Sequence, residues 1–183
     1  MYLFFDTETT GLPRRNANYR TEFLAWPRLV ELDWLLYDKL DEYHAIIKPE
    51  GYEIPAEVTK IHGISQERAL NEGKSIKDAL GGFLYALEYA EVLVAHNVAF
   101  DEGIIGSEYA RLNSLPSKLE TIKKYDTTQS GPYCGMPPGR RPRLGELYYC
   151  LFNEGFDDAH TAMADTLALV KCFFELKKKG LEI

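Results

Sequence analysis

Apolar residues along this chain fall into two rhythms. Extended runs come first. Residues 2–7 read as a buried strand, and residues 29–37 alternate with period two, with Val30, Leu32, Trp34 and Leu36 on one side. Residues 43–48 form a third run that Pro49 closes, and the short connection 38–42 predicts an antiparallel hairpin. Helical spacing takes over afterwards. Ile54-Pro55-Ala56-Glu57 opens a short helix with proline near its first position. Ser75 caps a helix reaching about Tyr89, residues 91–95 make a fourth strand, and Asn97 is expected to cap a helix running to 111–114. Residues 115–142 are less regular, with a short strand around 122–125 and a Gly/Pro-rich loop from 130 to 142. The last two helices are expected at 143–152 and 161–177, the second with an apolar stripe of Met163, Leu167, Val170 and Phe174.

Hairpin strands followed by alternating helices and strands predict an α/β fold with a mixed sheet. Neither a repeat nor a linker interrupts residues 1–183, which read as a single domain. The loop 13–27 is longer than its neighbours and carries Tyr19, Phe23 and Trp26. It is expected to act as a mobile flap over the site, with a packed surface loop as the alternative.

With 183 residues, 45% of them hydrophobic, the chain can bury a substantial core. No apolar run approaches the ~20 residues needed to cross a bilayer, and the N-terminus has no basic leader, so neither a membrane partner nor a signal peptide is expected. Cys134, Cys150 and Cys172 suggest neither a disulfide framework nor a zinc spacing, which predicts a reducing, cytoplasmic setting. The net charge of −7 argues against nucleic acid as a partner, unless carboxylates recruit divalent cations locally. Basic residues are nonetheless grouped. Lys123 and Lys124 form one pair, and Lys177, Lys178 and Lys179 read as a solvated face. Arg14, Arg15 and Arg20, and likewise Arg140, Arg141 and Arg143, flank candidate site segments and could touch phosphate.

Chemistry enters where the first strand ends, at Phe5-Asp6-Thr7-Glu8-Thr9-Thr10-Gly11-Leu12. In a strand, Asp6 and Glu8 point to one face about 6.6 Å apart. Two anions at 4 Å repel by about 4 kcal/mol at an effective dielectric of 20, so a cation is expected between them. Asp101 follows the fourth strand in the first turn of a helix, and Asp165 lies one turn into the last helix. Four acids at the ends of apolar elements suggest a shared oxygen-lined site for Mg²⁺ or Mn²⁺.

The segment Phe5 to Leu12 resembles the first motif of the DEDD exonuclease superfamily. Ala95-His96-Asn97-Val98-Ala99-Phe100-Asp101 resembles the second, and His160 with Asp165 the third, in its histidine subtype. Thr161 stands where the sister subtype carries tyrosine. Thr59-Lys60-Ile61-His62-Gly63-Ile64-Ser65 resembles a segment of the proofreading branch, that of the bacterial DNA polymerase III epsilon subunit. This resemblance implies a ribonuclease H-like, mixed five-stranded sheet flanked by helices, and 3′→5′ hydrolysis of phosphodiester bonds in single-stranded nucleic acid, DNA before RNA. It also implies two metal ions (Mg²⁺ or Mn²⁺) held by Asp6, Glu8, Asp101 and Asp165, with Asp6 bridging, and His160 as general base. A five-residue offset on a helix separates side chains by about 140°, so His160 is expected in the loop before the helix of Asp165. Substrate contacts are expected from Thr7, Thr9, Thr10, Gly11, Leu12, His62, Asn97 and Phe100. His44 has no such context and is expected to be structural. The loop 130–143 has no counterpart in the family; with three arginines it could guide a strand or bind a protein. The sequence ends soon after the last helix, without the tail that joins a proofreading subunit to its polymerase. A polymerase or other replication partner is therefore an open expectation. Within the same fold, RNA trimming or non-catalytic nucleic-acid binding are the alternatives.

Overall fold

The structure, a computed structural model, describes residues 1–156 and 161–182. Strands β1 (Tyr2–Thr9), β2 (Leu29–Leu36) and β3 (Asp41–Ile46) pair antiparallel, as the hairpin spacing predicts. Strands β4 (Val92–Ala95) and β5 (Lys123–Asp126) join β1 in parallel, giving the order β3-β2-β1-β4-β5. The mixed five-stranded sheet is therefore as expected. The register of β1 on β2 slips between Glu8 and Thr9, a bulge that turns the chain out of the sheet just past the acidic pair.

Helices cover both faces. On one side, α3 (Ile76–Tyr89), α4 (Val98–Arg111) and the short α5 (Ser117–Thr121) meet Leu3, Phe5, Leu32, Trp34 and Leu36. On the other, α6 (Leu144–Phe152) and α7 (Ala162–Lys178) pack on Phe4 and Val94. The helices α1 (Ala56–His62) and α2 (Gln66–Glu72) form a small satellite core with Val30, Ile46, Ile54 and Ile64; α2 and α5 were not anticipated from the apolar rhythm. No helix among the described residues is long and apolar enough to cross a membrane.

Several expectations are corrected. The expected α7 stripe is only partly buried: Met163 is 44% and Leu167 49% exposed. The buried face instead runs through Leu169, Cys172, Phe173 and Leu176, and Asp165 sits on its N-terminal continuation. Cys134 and Cys150 form a disulfide that ties the chain before residue 135 to α6, leaving Cys172 as the buried free thiol. The sequence spacing gave no hint of it because the pairing is made by tertiary approach. The start of the supposed loop 130–142 is a 3-10 helix over Thr127–Cys134. Finally, the 13–27 loop is fastened down. Tyr19 donates its hydroxyl to Glu102, Arg111 donates to the carbonyls of Phe23 and Trp26, and the Trp26 and Tyr19 rings lie where side chains at Gly103 and Gly106 would be. A glycine in a helix interior costs about 1 kcal/mol against alanine, and here two of them clear a flat seat on α4 for the loop.

Candidate active site

β1 places Asp6 and Glu8 on the sheet face that α7 covers, and Asp165 descends from the first turn of α7. Carboxylate oxygens of Asp6, Glu8 and Asp165 lie within 4.8 Å of one another. Asp101, 3% exposed, is near but turned: its Oδ1 accepts the Thr7 hydroxyl at 2.7 Å, and it is not part of that triplet. Its seat is prepared by β5. Asp126 Oδ1 accepts the Asn97 N–H at 3.0 Å and the Thr128 N–H and hydroxyl, which fixes the turn into α4. Asn97 does occupy the cap position, but in a left-handed conformation with no side-chain cap bond, a correction to the capping expectation; its backbone serves instead.

Electrostatics set this cluster apart. Burial, then Asp101, Asp165, Glu8 and Asp33, push the Asp6 carboxyl well above the usual carboxylate range. Burial and the carboxylates of Glu31, Asp165 and Asp101 push Glu8 up to about 8. For Asp101, burial prevails over hydrogen bonds from the Thr7 hydroxyl and backbone N–H groups, and its carboxyl rises to about 7. The charges that act on Glu8 are all carboxylates. An arrangement of this kind is stable when ionised only if a cation offsets it. The donor set is all oxygen, which suits hard divalent ions such as Mg²⁺ or Mn²⁺.

A cavity of about 300 Å³ opens beside the acids, lined by Thr7, Glu8, Thr9, Gly11, Leu12, His62 and Phe100 together with Val58 and Ile61 of α1. Gly11 has φ +151°, which a side chain disfavours, and Thr9 Oγ1 donates to its carbonyl at 2.8 Å. That turn leaves Leu12 85% exposed on one rim, with Ile61, 59% exposed, on the other. Val58 and Ile61 were not singled out in the sequence; their spacing from His62 on one short helix was the available signal. His62 accepts the Ile64 N–H on Nδ1 at 3.1 Å, so the neutral ring carries its proton on Nε2. That Nε2 is buried at the cavity with no hydrogen-bond partner among the described residues.

Not every expected contact converges here. The Thr10 hydroxyl accepts the Arg28 N–H at 2.9 Å and extends the β1–β2 pairing, and Asn97 lies outside the cavity. Arg14, Arg20 and Arg140 pair with Glu22, Glu120 and Glu146, so these arginines already have partners. His160 lies outside the described residues; α7, capped by Thr161, begins after it.

With the geometry in place, the comparisons bear on it. Residues 3–173 match the exonuclease family (RNase_T). The chain is 32% identical to the DNA polymerase III subunit epsilon of Haemophilus influenzae over 145 residues, covering 79% of this chain and 54% of that protein. It is 29% identical to the PolC-type DNA polymerase III of Mycoplasmopsis pulmonis, covering 100% of this chain and 12% of that one. The chain thus spans about half of the first relative and a small part of the second. Its fold is similar to that of E. coli exonuclease I solved with a dT13 oligonucleotide, with a TM-score of 0.75 at 19% identity over 97% of this chain and 40% of that one. A second exonuclease I structure gives a TM-score of 0.76 at 18% identity over 97% of this chain and 40% of that chain.

Proposed function

We propose, since the chain belongs to the RNase_T exonuclease family, that residues 1–183 form one metal-dependent 3′→5′ exonuclease domain acting on single-stranded DNA. The observation that carries this reading is the convergence of Asp6, Glu8 and Asp165 beside an apolar-rimmed cavity of about 300 Å³. Those three carboxylates, together with Asp101, would hold two divalent ions, Mg²⁺ or Mn²⁺, with Asp6 as the shared ligand by its place as the first acid of the motif. When bound, such a pair supplies electrostatic stabilisation to the attacking and leaving oxygens of an in-line displacement.

The chain's own side chains do the rest. His160 takes the proton of the attacking water; its reference pKa of about 6.5 suits that role near neutral pH. Leu12, Ile61 and Phe100 hold the terminal nucleoside by apolar contact, and the His62 ring closes the wall beside them. Gly11 lets the backbone approach closely. Thr7 acts at one remove, by orienting Asp101.

Likeness to the epsilon subunits supports DNA as substrate and a polymerase or other replication protein as partner. Matched DNA and RNA oligonucleotides, single- and double-stranded, test the substrate class. Single-stranded DNA is expected to be degraded fastest; RNA degraded at an equal or greater rate would overturn the DNA assignment in favour of an exoribonuclease.

A further inference from the structure

One strand away from the acids of β1, a second constellation faces α7. Asp33 of β2 and His44 of β3 are register partners, and Glu31 lies two residues earlier on the same face of β2. We infer that Glu31, Asp33 and His44 form a separate divalent-cation site, suited to a borderline ion of the zinc class rather than to magnesium.

The geometry is that of ligands and their support. One ligand atom from each residue lies within 4.8 Å of the others. His44 Nε2 stands 3.8 Å from Glu31 Oε1, a gap that a cation with bonds of about 2.0–2.2 Å to each can bridge. The other ring nitrogen, Nδ1, is 2.9 Å from Asp33 Oδ2 and 3.1 Å from Oδ1, which fixes the ring's orientation as carboxylates do for metal-binding histidines. Glu31 Oε2 accepts the Ala162 N–H at 3.0 Å, so its other oxygen is the one presented to His44.

An independent observation comes from α7. Thr166 is 4% exposed, and its hydroxyl has no hydrogen-bond partner among the described residues. It lines the same cavity of about 180 Å³ as Asp33, Glu42 and His44. A helical threonine can satisfy itself on the carbonyl one turn back, and this one does not. A buried, unsatisfied hydroxyl in a cavity that Asp33 and His44 also line marks a place for a ligand or its bound water. An imidazole nitrogen beside a carboxylate oxygen favours zinc-class ions, whereas magnesium keeps to oxygen and water. An ion there ties the first turns of α7, and with them Asp165, to β2 and β3.

Cobalt reports on such a site without any turnover. In the full chain carrying Asp6→Ala and Glu8→Ala, Co²⁺ titration is expected to give one bound equivalent with visible d–d absorption. Adding His44→Ala is expected to abolish that absorption, and Thr166→Val to weaken binding about tenfold or more. His44 is partly exposed, so its replacement should leave urea unfolding cooperative. Absence of the absorption, or Co²⁺ binding unaltered by His44→Ala, would overturn the site and leave His44 as an ion-pair partner of two buried carboxylates. Should the double variant not fold, the wild-type chain in saturating Mg²⁺ gives the same decision. Zn²⁺ is then expected to shift the His44 ring nitrogens in NMR spectra, and unmoved resonances contradict the proposal. Neither readout depends on nuclease activity, so its failure leaves the exonuclease reading intact.

Discussion

At the scale of single residues, the centre is defined by acids that burial and mutual repulsion hold in an uneasy state. Replacing Asp165 with Asn removes one of three converging carboxylates and is expected to abolish nuclease activity, with Mg²⁺ affinity measurably reduced by calorimetry. His160→Ala is expected to lower kcat about 10²–10⁴-fold while Mg²⁺ affinity changes little, since a base does not hold the ion. Lost Mg²⁺ binding would instead make His160 a ligand. His62→Ala is expected to raise KM more than it lowers kcat, because the ring lines the cavity and stands outside the acidic triplet. The convergence of three acids was legible in sequence: the i, i+2 spacing of Asp6 and Glu8 put both on one strand face, and Asp165 followed from motif order. The turn of Asp101 towards Thr7 was not legible, because it depends on where α4 meets β1. The pairing of His44 with Asp33 was hidden for a similar reason, since it is set by strand register and not by local spacing.

At the scale of elements, the site depends on how loops are pinned to rigid pieces. Glu108, 1% exposed, holds the start of β2 to α4 by accepting from Arg28 Nε at 2.8 Å and the Leu29 N–H at 3.1 Å. The 13–27 loop is docked on the same helix, so Gly103→Ala would press a methyl group into the Trp26 ring. The expected loss is about 1–3 kcal/mol in urea unfolding, the usual range for overpacking; unchanged stability would mean that the loop is not seated there. The apolar rhythm along the chain disclosed the strands and the long helices but not these dockings. Large aromatics in the loop suggested a flap, whereas the glycines on α4 that receive them look like weak helix formers until the two are brought together. The face of α7 was misread for a related reason. Its apolar residues extend beyond one stripe, with Met163 and Leu167 on the exposed side, and the requirement that Asp165 meet the β1 acids selects the face through Leu169, Phe173 and Leu176.

For the whole molecule, carboxylates gather where α7 meets the sheet, Asp6 and Glu8 with Asp165 and Glu31 with Asp33, and stability is expected to couple to cations and protons. Carboxyls with folded pKa values above their unfolded values of about 4 stabilise the fold fully at low pH, and that contribution is lost as pH rises through the folded values. For Asp101 and Glu8 these are about 7 and about 8. Above about pH 7.5, a unit past their reference pKa of about 6.5, histidines are mostly neutral in the unfolded chain. His62 and His96, lowered by burial, are therefore neutral in both states there, and the window from about 7.5 to 8.5 isolates the acids. Cation-free protein is expected to lose Tm across that window, by about 2–4 °C per kcal/mol for a domain of this size. Saturating Mg²⁺ should flatten the loss by binding only the folded state. A Tm that rises with pH without cations would contradict the raised carboxyls. The most direct test of the reading as a whole is the product pattern of a 5′-labelled single-stranded DNA oligonucleotide incubated with the purified chain and Mg²⁺. A ladder shortening from the 3′ end, absent with Asp165→Asn, is expected; full-length substrate at every Mg²⁺ and Mn²⁺ concentration, or an equal ladder from the variant, would contradict it.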